Sequence, residues 1–476
     1  MNPDLQHIAR DRFGIESLYP IQQRIVDRLM AGGHALVVMP TGSGKSLCYQ
    51  LPALAMPGPG VTLVFSPLIA LMEDQVSALR ARGIKAQYVN STLDRDQRRR
   101  RYRALARGEY QLIYATPERM NKPEFVRALA RVPGGVRLLA VDEAHCVSRW
   151  GHDLRPAYQQ VGWFRSHLGS PPTIALTATA TPAVRDDIRA TLGLDARAMP
   201  LFATGIDRPN LSLVARDVWD DSDKIDLIQD VRGQHPGTGI VYFALIKDLE
   251  RYADLLRPSI GDRPIEIYHG RLSPRSKKRV YRRFIAADPS DNLLLLATNA
   301  FGMGVDKPDI RFIVHAQVPG SVEAYHQEVG RAGRDGNPSR CLLLYAQDDL
   351  AIQQQFVAWK NPDADLLVRI SRAIEHSGHA DFDAEEIRLE VVGRTGQWGL
   401  IDQALIWLEH AGVIEPTSIQ GRFRLVEPLR DDQIDAMQIQ AKRQRDLERL
   451  LDVVNLAGCP DIHAFVRAYF RLDAED

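Results

Sequence analysis

Between Val141 and Tyr158 the chain reads VDEAHCVSRWGHDLRPAY, and its residue types divide into two chemistries. Asp142 and Glu143 follow the apolar run Val136, Leu138, Leu139, Ala140 and Val141, so both carboxylates are expected at the C-terminal end of a buried strand, where ligands of parallel sheets collect. Asp142 is assigned the holding of Mg2+ and Glu143 the orienting of a water. Just beyond, Trp150, His152, Arg155 and Tyr158 offer ring faces and a guanidinium fork, the groups that single-stranded nucleic acid needs. The pairing points to triphosphate hydrolysis gated by a strand.

Upstream, MPTGSGKS (Met39 to Ser46) follows the strand-like ALVV and leads into a helix start. Backbone N–H groups around Thr41, Gly42, Ser43 and Gly44 can cradle phosphates there, Lys45 reaching the β and γ oxygens and Ser46 ligating Mg2+. The first position of the GxxxxGK[ST] pattern is Met39, so this is the shorter TGxGKS form. In QEVGRAGRDG (Gln327 to Gly336), Arg331 and Arg334 stand three apart, on one face if the segment is helical. One of them can neutralise charge on a transferring γ-phosphate if a second domain closes on the first.

These groups need two α/β units to hold them. From Ala35 to Thr181, short apolar runs (ALVVM, VTLVFS, LIYAT, RLLAVDEA, TIALTAT) alternate with longer amphipathic stretches, as in a parallel sheet with helical crossovers. After Ile206 to Asn210 the pattern restarts with GIVYF, IEIYHG, LLLLATN, RFIVHA and CLLLYA. Ser66, Thr116, Arg119, Thr298 and Asn299 come just after such runs, where a strand groove across both sheets would lie; as single residues they read equally as loop caps. Helices near 365–377, 384–392 and 399–411, followed by GVIEPTSIQGRFRLV as two short strands, suggest a winged helix. A charged amphipathic helix over 432–457 and a short one over 461–471 then form a pair. The expected architecture is α/β, two tandem RecA-like parallel-sheet domains (1–205 and 206–350), then a winged-helix-like domain (351–431) and a helical pair (432–476).

The chain has 476 residues, 45% of them apolar, and sixty basic side chains balance sixty acidic ones. Any nucleic-acid path is therefore local rather than spread over a basic surface. No run of about 18 apolar residues and no N-terminal signal-like stretch stands in the sequence, which implies a soluble cytoplasmic protein without a membrane partner. Cys48, Cys146, Cys341 and Cys459 lie far apart, so neither a disulfide scaffold nor a zinc site is expected. An arginine run (Arg95, Arg98 to Arg101, Arg103, Arg107) around Tyr102 reads as a solvated helix face, with duplex contact as its alternative.

With these residues in order, the chain resembles a RecQ-type DNA helicase of superfamily 2 over roughly residues 10–350. The resemblance rests on Tyr19-Pro20-Ile21-Gln22, TGSGKSLCYQ, SPLIALMEDQ (66–75), TPER (116–119), DEAH, SRWGHDLRPAY, TAT (177–179), ATNAFGMGVDKPD (297–309) and QEVGRAGRDG. It implies ATP and Mg2+ as cofactors, Gln22 reading adenine, Asp306 near the nucleotide, and TAT coupling hydrolysis to domain movement. It also implies that SPLIALM, TPER and the ATNAFGMG region grip strand phosphates, that the motor runs 3′ to 5′ on single-stranded DNA, and that tailed or forked duplexes are unwound in repair or recombination. An RNA helicase and an ATP-switched DNA-binding adaptor are the alternatives. Four departures stand out: Tyr19 replaces an Arg, so ring stacking replaces a guanidinium on adenine; Leu154 replaces a Phe; Leu245 and Ile246 replace a Ser-Arg pair; and Cys459 has no cysteine partners after it where the family begins a zinc module.

Overall fold

The computed structural model describes residues 3–40, 42–67, 69–90, 92–148, 156–260, 264–302, 305, 307–377, 381–393, 398–417, 422–430 and 436–472. Strands β1 (Ala35–Val38), β2 (Val61–Phe65), β3 (Ala86–Val89), β4 (Leu112–Ala115), β5 (Val136–Val141), β6 (Thr173–Thr177) and β7 (Leu201–Ala203) form one parallel sheet in the order β3-β4-β2-β5-β6-β1-β7. Strands β8 (Leu211–Asp217), β9 (Thr238–Tyr242), β10 (Ile265–Tyr268), β11 (Leu294–Ala297), β12 (Ile310–His315) and β13 (Ser339–Tyr345) form a second, in the order β10-β11-β9-β12-β13-β8. These are the two RecA-like domains expected. Interior strands such as β1, β2, β4 and β11 are buried at every position, because helical crossovers cover both sheet faces. That is why they read as unbroken apolar runs.

A third, antiparallel sheet joins β14 (Asp381–Asp383), β15 (Ile414–Pro416) and β16 (Arg422–Leu425) in the order β14-β16-β15. Helices Ala364–Ser377, Ala384–Val392 and Trp398–His410 pack with it around Ile370, Ile374, Phe382, Ile401, Leu405 and Val413. The two-strand hairpin of the sequence reading thus gains a third strand. A helix over Gln347–Lys360 spans the expected boundary at 350/351, so that boundary is displaced. Its N-terminal half belongs to the second parallel-sheet domain: Lys224 Nζ donates to Asp349 at 2.8 Å in a buried pair, and Gln353 Nε2 donates to the Val318 carbonyl at 2.6 Å.

The last two helices, Ala436–Gly458 and Ile462–Phe470, dock against both parallel-sheet domains. Val453, Leu456, Ile462, Val466, Phe470 and Leu472 join the apolar cluster that continues through both sheets. Arg185, in the first domain, donates to the Phe470 carbonyl at 2.9 Å, while Tyr469 donates to Glu323 and His463 to the Leu211 carbonyl, both in the second. Among the described residues no helix is long and apolar enough to cross a membrane.

Candidate active site and nucleic-acid groove

The turn after β1 works because two glycines take backbone angles that other residues avoid, Gly42 at φ +84° and Gly44 at φ +77°. A Cβ on Gly44 would come within 2.8 Å of Gln22 Nε2, and one on Gly42 within 3.4 Å of Arg334 Cδ. The loop is thus clamped from two sides. Gln22, 3% exposed, donates from Nε2 to the Ser43 carbonyl at 3.1 Å and accepts at Oε1 from the Tyr19 N–H at 3.1 Å. Its amide braces the phosphate loop, and the Tyr19 ring beside it is 68% exposed. Thr41 lies outside the described residues.

Lys45 Nζ donates to the Met39 carbonyl at 2.9 Å. Burial and the nearby Arg334 push its pKa down, while Glu143 and Asp142 hold it up, desolvation being the largest effect. Asp142 begins where β5 ends, its N–H bonded to the Phe65 carbonyl and its Oδ1 accepting from the Glu143 N–H at 3.0 Å. Burial first, then the Glu143 charge, raises the Asp142 carboxyl to about 7, against the pull of Lys45. A carboxylate this deep calls for a countercharge. Ser46 and Asp142 supply only oxygen donors, which suits a small hard cation such as Mg2+.

Glu143 sits in the left-handed region at φ 49°, ψ 49°, a conformation that costs a non-glycine residue roughly 1–2 kcal/mol. The turn aims its carboxylate at His145, Nδ1 lying 3.4 Å from Oε2. His145, 1% exposed, also meets Thr177 Oγ1 at 3.0 Å; Thr177 Oγ1 donates to the Thr179 carbonyl at 3.0 Å, and Gln327 Nε2 donates to Thr179 Oγ1 at 3.2 Å. A polar chain therefore runs from the DEAH turn through TAT into the second domain.

Arg331 and Arg334 do not share a helix face. The helix Val322–Val329 ends before them, and the two arginines occupy the following turn and point apart. Arg334 reaches across to Gly42 and donates to the Val305 carbonyl at 2.7 Å. Arg331, 5% exposed, turns toward Gly302 and the Tyr242 hydroxyl within its own domain.

Of the expected strand contacts, Ser66, Thr116, Thr298 and Asn299 do follow β2, β4 and β11, with the Ser66 N–H bonded to the Ala115 carbonyl. Thr116 and Arg119 are half-buried and Asn299 is exposed. Ser66 and Thr298 are 1% and 6% exposed, and Thr298 Oγ1 caps the Ala300 N–H at 3.4 Å, so in this arrangement both are buried rather than at the surface. Tyr158 overturns its expected role. Its ring is 0% exposed within the apolar core of the first domain, so it presents no stacking face. Trp150, His152, Arg155 and Asp306 lie outside the described residues. Cys459 Sγ donates to the Leu456 carbonyl at 3.1 Å.

Gln75 carries a role that the sequence reading missed. Its Nε2 donates to Ser46 Oγ at 2.9 Å, and its Oε1 accepts from Gln50 Nε2 at 2.8 Å and from the Tyr49 and Tyr114 hydroxyls at 3.3 Å. The signal is present as the last residue of SPLIALMEDQ, but nothing local distinguishes a half-buried positioning amide from a solvated one. His145 stands inside DEAH without a role in the sequence reading, whereas Thr177 belongs to TAT, to which the resemblance assigns coupling.

Residues 19–188 match the DEAD/DEAH box helicase family and residues 223–336 the helicase conserved C-terminal domain. The chain is 38% identical to the probable ATP-dependent DNA helicase RecS of Bacillus subtilis over 378 residues, covering 79% of this chain and 74% of that protein. It is 42% identical to the ATP-dependent DNA helicase RecQ of the same organism over 355 residues, covering 73% of this chain but only 57% of the relative. Among solved structures, S. cerevisiae Dbp5 bound to RNA and ADP BeF3 superposes with a TM-score of 0.58 at 17% identity, over 75% of this chain and 91% of that one, a likeness of fold. With both helicase domains present in order and RecS matched over most of its length, the chain belongs to the RecQ-type ATP-dependent DNA helicases.

Proposed function

We propose that this chain tracks single-stranded DNA with 3′-to-5′ polarity and separates duplexes in repair or recombination, using ATP hydrolysis to close and open the cleft between its two parallel-sheet domains. The observation that carries this reading is the contact of Arg334, from the second domain, with Gly42 of the phosphate loop in the first, beside Lys45. A triphosphate seated on the loop would complete an electrostatic cage that the protein alone leaves poised.

In this reading Lys45 leaves the Met39 carbonyl for the β and γ oxygens, and Ser46 and Asp142 hold Mg2+, which would neutralise phosphate charge. Glu143 orients the attacking water, and Arg334 meets the charge developing on the γ-phosphoryl group. Arg331 positions the Phe301-Gly302 segment after β11. Tyr19 offers its exposed ring to the adenine, and Gln22 reads the base edge while bracing the loop. Asp306 stands near the nucleotide. Strand phosphates lie along Thr116, Arg119 and Asn299, over a floor that includes Ser66 and Thr298, and Trp150, His152 and Arg155 sense the strand. The chain from Glu143 through His145, Thr177 and Thr179 to Gln327 links hydrolysis to cleft movement.

Steady-state ATPase with and without oligo(dT) tests the coupling: a rate raised at least about tenfold by the strand is expected, and equal rates would remove it. Displacement from a 3′-tailed but not a 5′-tailed duplex is the expected polarity. Hydrolysis without displacement from either would favour the adaptor.

A further inference from the structure

The helix Arg95–Ala106 lies beside β3, at the free edge of the first sheet, and the nucleotide site makes no use of it. Residues 94–109 carry seven arginines against three carboxylates, in a chain whose net charge is zero. Local excess of this kind stands out against that balance, as it also does in helix Pro274–Ala286, which holds six basic residues and no carboxylate. Among the described residues, Arg95, Arg98, Arg99, Arg100 and Arg103 have no carboxylate within ion-pair distance; Arg107 pairs with Glu109 at 2.6 Å. Arg95, Arg99, Arg100 and Arg103 are exposed, and Arg100, Arg101, Arg103 and Arg107 line an open depression with Gln87 and Tyr110.

The rings here are already engaged. Arg101 stacks its guanidinium over Tyr88, 4.3 Å from the centroid, and donates to the Tyr88 carbonyl. Tyr102 packs against Phe125, with ring centroids 5.8 Å apart, and its hydroxyl meets Arg119. Single strands are held by stacking faces as well as charge, and with Tyr88 and Tyr102 engaged and Tyr110 half-buried this surface offers charge far more than ring faces. A double helix, whose bases are already stacked, needs only phosphate contacts. The helix is about 18 Å long, the rise of about five base pairs. Through the Tyr102 hydroxyl it also touches Arg119, one of the proposed strand contacts, so it borders the proposed strand path at the sheet edge.

We infer that the exposed arginine face of helix Arg95–Ala106 is a second DNA site, which binds the phosphate backbone of the duplex arm while the groove holds the single strand. The inference rests on the DNA reading above and adds a duplex contact outside the winged-helix region. Capping by Asp94, whose side chain accepts from the Gln97 N–H at 2.7 Å, holds the helix independently of its arginines, so their replacement leaves the scaffold intact.

The test uses the full-length chain with Arg99, Arg100 and Arg103 all changed to Gln. Fluorescence anisotropy is read on a blunt duplex of about 20 base pairs and on oligo(dT), from about 50 to about 200 mM salt. The expected result is duplex affinity reduced by about tenfold or more at the lower salt, with the slope of log K against log salt shallower by about 2 to 3. Oligo(dT) affinity and oligo(dT)-stimulated ATPase should equal wild type, which separates this inference from the motor reading. Unchanged duplex affinity and slope would overturn the duplex site. Equal losses on duplex and oligo(dT) would overturn it too, marking the helix as part of the single-strand path.

Discussion

The two parallel sheets share one winding. With β7 set aside, β3-β4-β2-β5-β6-β1 corresponds strand for strand to β10-β11-β9-β12-β13-β8. β8 is then the counterpart of β1 and β12 of β5, yet only the first domain carries the glycine loop and paired carboxylates after these strands. After β1 comes a glycine-hinged loop; after β8 come Val218, Trp219 and Asp220, and the next helix opens on Asp220, Asp221 and Asp223. Three carboxylates at a helix N-terminus suit its positive end but repel a phosphate. After β5 stand Asp142 and Glu143. After β12 the polar residue is Gln317, whose Oε1 accepts from the Ala244 and Leu245 N–H groups at 2.8 and 3.1 Å and whose Nε2 donates to Asp248, so it secures its own domain. The scaffold fixes where loops emerge; loop composition fixes what they do. Thr116 after β4 and Thr298 after β11 are also counterparts, so the proposed groove draws equivalent positions from both halves.

The comparison breaks most sharply at the phosphate loop. Lys45→Ala or Glu143→Gln should lower ATP turnover by about a thousandfold or more in a steady-state assay. Turnover near wild type in either variant would mean that the first domain is not the site of hydrolysis. Arg334→Ala tests what the second domain lends to the first: a loss of about a hundredfold or more in kcat is expected, with binding of a fluorescent nucleotide nearly unchanged. Arg331→Ala should cost far less, about tenfold, because its guanidinium faces Tyr242 and Gly302. Equal losses in the two would erase the distinction between them.

Smaller effects sharpen the boundary between the domains. Gln327→Ala removes a hydrogen bond worth about 1 kcal/mol to Thr179, and should reduce the stimulation of ATPase by oligo(dT) about fivefold while sparing the unstimulated rate. A parallel fall in both rates would make Gln327 a structural residue alone. His326, at the same junction near Phe470, has its pKa lowered to about 4 by burial, then by Arg208 and His463. Because the folded state resists protonating it, its contribution is complete above about 6.5 and is lost as pH falls toward 4, at no more than about 1.4 kcal/mol per pH unit. Thermal melts from about pH 7 to about pH 5 should therefore fall less steeply in His326→Gln than in wild type. Identical slopes would remove the assignment.

Interior strands were legible because burial on both faces leaves unbroken apolar runs. The missed strands β3, β7 and β8 all lie at sheet edges, where β3 and β8 are partly exposed and β7 is only three residues long. The helices of the third region were also legible, since their apolar periodicity is local, whereas β14 is three residues long and is held by pairing with β16, remote in sequence. Cys459 stands out in the sequence by its spacing, but spacing gives no sign that the helices around it dock on both parallel-sheet domains.

By itself the sequence determined the order of the two parallel-sheet domains, the loop that can cradle phosphate, the carboxylates that follow β5 and the arginine pair of the second domain. All of these depend on residue type and short spacing. Tertiary structure alone decided that Tyr158 is core, that Arg334 rather than Arg331 reaches Gly42, and that Gln75 holds Ser46. Those outcomes depend on side-chain direction and on contacts between residues tens to hundreds of positions apart, and burial there is a property of the closed surroundings rather than of the residue.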